Sequence, residues 1–136
     1  MSKILQDIWI LNEAGIVLFS RAFNEKIKDQ LFGSLVSALD TFANEISDGG
    51  ISNFELSNKR FTLMRSMNVL FVVNSTKKVK DKNLKTKIQD LVKRFFNRYP
   101  IKLIESWDGD LNTFSDFKTE IDDMLEDPVK KFWDGF

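Results

Sequence analysis

Besides Ile16-Val17-Leu18-Phe19, two stretches of this chain are apolar at every consecutive position, Ile8-Trp9-Ile10-Leu11 and Val69-Leu70-Phe71-Val72-Val73. A strand sends successive side chains to opposite faces, so neither run has a side left for water. The sheet that holds them needs cover on both faces. The second run is also β-branched and aromatic, which marks a central strand.

The remaining patterns supply that cover. Asn12-Glu13-Ala14-Gly15 is a turn, and Gly15 can take positive φ there without steric cost. It joins the strand from Ile4 to Leu11 to a second from Ile16 to Phe23 as a hairpin. Residues 28–47 have helical spacing, with Leu31, Leu35, Ala38, Leu39, Phe42 and Ile46 as the expected buried stripe, widened by Phe32, Val36 and Ala43. Asp48-Gly49-Gly50 stops that helix. Strands then fit 51–57, 60–65 and 69–73, the first two alternating like edge strands. A second helix fits 80–98, with Leu84, Ile88, Leu91, Val92, Phe95 and Phe96 buried, and Pro100 closes it. Residues 101–104 read as extended or irregular. A third helix, capped by Asp110 or Asn112, has Leu111, Phe114, Phe117, Ile121, Met124 and Leu125 as its stripe.

The order is β-β-α-β-β-β-α-α. It predicts an α/β fold: a five-stranded, mainly antiparallel sheet with the first helix on one face and the last two on the other. At 136 residues one domain is expected, placed at 1–126, with an aromatic tail at 127–136 packed on it. Phe132, Trp133 and Phe136 are too apolar to leave in water, and beside Lys130-Lys131 they also suit an interfacial anchor. The first residues are not a secretory leader, and no run reaches the roughly 18–20 apolar residues that span a bilayer. A cytoplasmic protein is expected, with membrane association an open alternative.

The chain has no Cys and no His. Cys/His zinc sites, thiol nucleophiles, Ser-His-Asp triads and imidazole acid–base chemistry are thereby excluded. Asp108-Gly109-Asp110-Leu111-Asn112 starts like a calcium loop, but Thr113 and Thr119 stand where Gly and Glu are required. The carboxylates of 116–127 fall along one amphipathic helix, the usual solvated face. No phosphate-binding glycine loop occurs. No enzyme, no metal and no cofactor are expected.

Twenty basic residues balance twenty acidic ones, yet the two signs are segregated. Residues 1–104 carry 17 basic and 10 acidic side chains, and residues 105–136 carry 3 and 10. Ten of the basic residues lie within 77–102. Three readings fit this stretch: a solvated face, a partner for the acidic third helix, or an anionic-surface contact through Lys77, Lys78, Lys80, Lys82, Lys85 and Lys87. Nucleic acid is not expected, because neither RNP aromatics nor a recognition helix accompanies the charge.

The element order, starting almost at Met1, resembles the longin domain of the longin/roadblock superfamily, a profilin/longin-like fold. The first hairpin, Ile8 to Phe19, is similar to theirs. So are Asp29-Gln30-Leu31-Phe32-Gly33-Ser34-Leu35-Val36-Ser37-Ala38-Leu39-Asp40-Thr41-Phe42 and the helix ending Phe95-Phe96-Asn97-Arg98-Tyr99. The likeness covers roughly residues 4–125 and is strongest to the short stand-alone longin-like proteins of archaea. It implies a non-enzymatic module in membrane trafficking or small-GTPase regulation. The implied partners are a small GTPase, another longin/roadblock subunit or a second copy, docking on the first helix and third strand.

The first helix carries Gly33, Ser37, Thr41 and Asn44 in a narrow strip of small and polar residues, read as outward-facing. With Asn53, Glu55 and Ser57 on the third strand, this is the expected partner interface. The alternative function is a monomeric peripheral membrane binder that uses the basic second helix and the aromatic tail.

Overall fold

The computed structural model describes residues 5–21, 29–47, 52–56, 59–110 and 112–124. Ser57, Leu111, Leu125 and the tail from 127 lie outside them. Five strands, β1 (Asp7–Leu11), β2 (Val17–Arg21), β3 (Asn53–Leu56), β4 (Lys59–Ser66) and β5 (Val69–Thr76), form one sheet in the order β2-β1-β5-β4-β3. Every pairing is antiparallel. The two consecutive apolar runs are the neighbours β1 and β5 at its centre. Both β1 and Val69–Val73 are buried throughout.

Their side chains divide between two cores, as the alternation of a strand requires. Ile8, Ile10, Phe71 and Val73 enter one with Leu84, Ile88, Leu91 and Phe95 of helix α2 (Asp81–Arg98). Trp9, Leu11, Phe61, Leu63 and Val72 enter the other with Val36 of helix α1 (Asp29–Ile46). Asp81 in the first turn of α2 and Arg98 in its last both complement the helix dipole.

Beyond α2 the chain departs from expectation. Ile101–Glu105 is a short helix, α3, and not an irregular segment. Pro100 ends α2 and at once starts the next helix, its carbonyl accepting the Leu103 N–H at 3.0 Å. The expected third helix is broken into turns over 112–116 and a short helix α4 (Phe117–Ile121). Short-range side-chain bonds explain the break. Asp108 accepts the Asp110 N–H, Asp110 accepts the Asn112 N–H, and Ser115 donates to the Asn112 carbonyl. These local bonds compete with helix formation. The expected stripe still faces inward, with Phe114, Phe117, Ile121 and Met124 all buried.

The larger correction concerns α1. Leu31, Leu35, Phe42 and Ile46, expected in the core, are 71%, 54%, 66% and 72% exposed. Phe32, Gly33, Val36 and Ser37 face the sheet instead. Phe32 packs against Trp9 and Phe61 with tilted rings, centroids 4.3 and 5.6 Å away. The reason is the hairpin turn. Gly15 has φ +82°, and a Cβ placed on Gly33 would meet its carbonyl oxygen at 2.8 Å and Val17 Cγ2 at 2.9 Å. A glycine facing a glycine turn lets α1 settle closely on that face. Gly33→Ala therefore destabilises the fold by about 1–3 kcal/mol through overpacking, although Ala is the better helix former by about 1 kcal/mol. Urea denaturation checks this; an unchanged or raised midpoint contradicts it.

Candidate functional site

The outward side of α1 carries large apolar residues along its length, with Ser34, Thr41 and Glu45 exposed among them. Residues 31 to 46 span about 22 Å of helix at 1.5 Å per residue. Leu31, Leu35, Ala38, Phe42 and Ile46 recur along this exposed side, and the helix contains no Lys or Arg. Scattered exposed apolar residues are ordinary, but a continuous stripe of large ones marks a docking surface.

The helix lies obliquely across the sheet. At its start, Gln30 exchanges two hydrogen bonds with the Val17 backbone, accepting its N–H at 3.2 Å and donating to its carbonyl at 3.3 Å. This occupies the outer edge of β2. Further along, Asp40 pairs with Arg65 of β4, the strand next to β3. The opposite edge of the sheet is β3, which among the described residues pairs with β4 alone. Its Phe54 stacks on Phe61 with ring centroids 4.8 Å apart, while Asn53 and Glu55 are exposed. An unpaired strand edge beside an apolar helix face offers both backbone and side-chain contacts to a partner.

The residues expected at an interface thus divide. Asn53 and Glu55 lie on the open edge. Thr41 and Asn44 are exposed on α1, Thr41 donating to the Ser37 carbonyl. Gly33 and Ser37 are turned into the hairpin and are not outward-facing as expected. Ser37 Cβ would stand 2.7 Å from a Cβ placed on Gly15. The small strip is the packing face, and the large apolar residues form the free one. The signal missed in the sequence was the lack of any cation on an 18-residue helix whose other side was already small enough to pack.

Two clefts meet at the hairpin end of the sheet, sharing Asn12, Glu13, Met67, Asn68 and Val69. Asn12 Oδ1 accepts the Ala14 and Ile16 N–H groups, which rigidifies one wall. Met67 and Asn68 form the other, both at positive φ, as a two-residue hairpin turn requires. Among the described residues no cluster of carboxylates is arranged to hold a metal ion. Asp108 and Asp110 spend oxygens on turn N–H groups.

The opposed charge blocks meet along part of α2. Arg94 makes two bonds to the Asp123 carboxylate, at 2.7 and 3.1 Å, and Arg98 reaches Asp116 at 3.5 Å. The Arg94 hydrogen bond holds the Asp123 carboxyl below its ordinary range and raises the pKa of Arg94. Lys87 also acts on Asp123. Because the folded value of Asp123 is depressed, its stabilisation exists above the unfolded value and is lost as pH falls through the folded one. Its side chain is 67% exposed, so solvent screening holds the contribution below about 1 kcal/mol. Arg94→Gln should lower stability by that amount at pH 7, and the difference from wild type should shrink below about pH 4. Urea titrations at both pH values check it; a difference that persists at pH 2 would assign the loss to packing and to the bond Arg94 donates to the Glu120 carbonyl, which does not titrate.

The other half of the basic stretch is differently placed. Lys78, Lys80, Lys82 and Lys85 are exposed and have no carboxylate within ion-pair distance among the described residues. Lys77 pairs with Glu55 at 3.1 Å, and Arg60 pairs with Asp81 at 2.8 Å. No helix among the described residues is long and apolar enough to cross a membrane.

The sequence matches the family described as the first longin domain of FUZ, MON1 and HPS1 over residues 6–96, from β1 through most of α2. No curated protein matches it. Among solved structures, MglB of Myxococcus xanthus is similar with a TM-score of 0.51 at 15% identity, over 63% of this chain and 70% of that one. A roadblock/LC7 domain from Streptomyces avermitilis is similar with a TM-score of 0.55 at 15% identity, over 66% of this chain and 81% of that one. Those two likenesses concern the fold, and it is the fold expected from the order of elements. The match over residues 6–96 goes further: the chain belongs to the longin family, among the first longin domains of FUZ, MON1 and HPS1.

Proposed function

We propose that this chain is a non-enzymatic interaction module that works as a dimer in membrane traffic or small-GTPase regulation. The observation that carries the reading is the exposed apolar stripe of α1 beside the open edge of β3. Two copies related by a two-fold axis bury the same stripe against itself, the self-complementary contact that closes a dimer. Antiparallel pairing of the two β3 edges continues one sheet into the other. The same surface takes a different longin or roadblock subunit where the native assembly is a heterodimer. Membership of the longin family supports the trafficking and GTPase assignment, with the assembled dimer as the platform a GTPase would meet.

The test is the mass of the chain in solution at micromolar concentration. A dimer of the 15.8 kDa protomer is expected. A monomer that also leaves every co-expressed longin or roadblock subunit unbound overturns the reading.

A further inference from the structure

We infer that the corner formed by the end of β3, the start of β4 and the entry to α2 docks on an anionic membrane surface. The inference extends the dimer reading but does not require it. Lys59 and Arg60 of β4, Lys77, Lys78 and Lys80 of the loop after β5, and Lys82 and Lys85 of α2 gather there, against Glu55 and Asp81 among the described residues. The strand registers make this one place. Leu56 lies opposite Lys59, Glu55 opposite Arg60, and Lys59 and Arg60 opposite Thr76 and Ser75 just before the lysine run. Arg60 fixes the corner, donating to the Val79 carbonyl and pairing with Asp81.

Among the described residues, the acidic C-terminal segment makes no ion pair at this corner. Its described ion pairs fall on Arg94 and Arg98, in the later half of α2. α4 itself sits over the far side of the sheet, where Phe117 packs edge-on against Phe19 of β2. The corner therefore keeps a local positive field although the whole chain is neutral.

The chemistry favours a lipid surface over a discrete anion or an acidic protein. Most of the cations are Lys, strongly hydrated point charges on flexible stems, suited to diffuse attraction and not to the bidentate recognition that Arg provides. The two clefts described lie at the other end of the strands, by the hairpin turns, and none of these lysines lines them. Polybasic surfaces of this kind gain about 1 kcal/mol per residue near anionic headgroups. α1 and α2 also cover opposite faces of the sheet. A dimer formed through α1 and β3 therefore leaves the lysines of α2 on the face away from α1, with both copies on the same side of the joined sheet.

The experiment is sedimentation with vesicles of phosphatidylcholine alone or with about a third phosphatidylserine, at low and physiological salt. The full chain should pellet with the anionic vesicles only, and less so as salt rises. Lys80→Glu with Lys82→Glu should weaken this by about thirty-fold or more, two lysines at about 1 kcal/mol each. Lys102→Glu with Lys118→Glu, an equal change of net charge at exposed sites elsewhere, should weaken it less than about three-fold. Equal loss in both variants, equal pelleting with neutral vesicles, or capture by polyglutamate without vesicle binding would each overturn the inference. The Leu35→Asp, Phe42→Asp variant separates it from the dimer reading. It should bind more weakly, through one corner in place of two, and retain the same dependence on Lys80 and Lys82.

Discussion

Phe95→Ala is expected to cost about 3–5 kcal/mol, the largest single-residue loss in this fold. Phe95 is fully buried in the last turn of α2, against β5, α4 and the segment between α2 and α4. Its ring meets Phe71 of β5 edge-on at 5.6 Å, Phe117 of α4 edge-on at 5.2 Å, Tyr99 at 5.2 Å and Phe114 at 5.8 Å. Truncation removes the transfer energy of the side chain, the cavity contacts and several ring pairs, each worth about 0.5–1.5 kcal/mol beyond area. The segment from 101 to 124 has little regular helix to hold it, so it depends on this cluster. Tyr99 adds to the hold by donating to the Phe114 carbonyl at 3.3 Å. For a chain of this size the thermal midpoint should fall by roughly 10–15 °C. Phe96→Ala, at a half-buried position, should cost distinctly less. Equal losses at 95 and 96 in urea denaturation would contradict the packing described.

Leu35→Asp combined with Phe42→Asp should abolish self-association and leave the protomer folded. Both side chains are more than half exposed, so the isolated protomer loses little beyond a few tenths of a kcal/mol for each change. In a two-fold contact each substitution acts twice. Four carboxylates would enter an apolar seam without partners, and the dissociation constant should rise by a hundred-fold or more. Mass in solution and urea denaturation together decide. A variant that unfolds would mean the stripe is buried within the protomer. A variant that still dimerises would place the interface elsewhere.

The sequence conveyed the sheet better than the helix faces, for a physical reason. Ile8–Leu11 and Val69–Val73 admit one reading, because a strand has two faces and both were apolar. The 28–47 segment offered two candidate stripes, and hydrophobicity alone favoured the larger one. What decides between them is distance of approach, set by Gly15 and Gly33, which lie 18 positions apart and reveal their contact only once the hairpin has closed. The same logic inverted the interface. Gly33 and Ser37 looked like a docking strip because they are small, and being small is what packs them inward. Alternation marked 51–57 and 60–65 alike as edge strands; Asn53 and Glu55 do lie on an edge, but β4 is interior, between β5 and β3, so alternation there reflects one buried face and not an open edge. The third helix failed differently. Phe114, Phe117, Ile121 and Met124 were read correctly as buried, yet Asp108, Asp110 and Ser115 drew backbone and side-chain bonds into turns that periodicity does not register. Charge segregation was visible in the sequence, but its division into a paired half and a free half depended on where α4 lands.

The central claim is that the outward stripe of α1 and the edge of β3 are covered in the working assembly. Amide hydrogen exchange on the unmodified chain, followed across a hundred-fold range of concentration, tests it most directly. Protection should rise with concentration at residues 53–56 and along 31–46, and stay constant along 81–98. Protection that does not depend on concentration, or that rises on α2, would contradict the account.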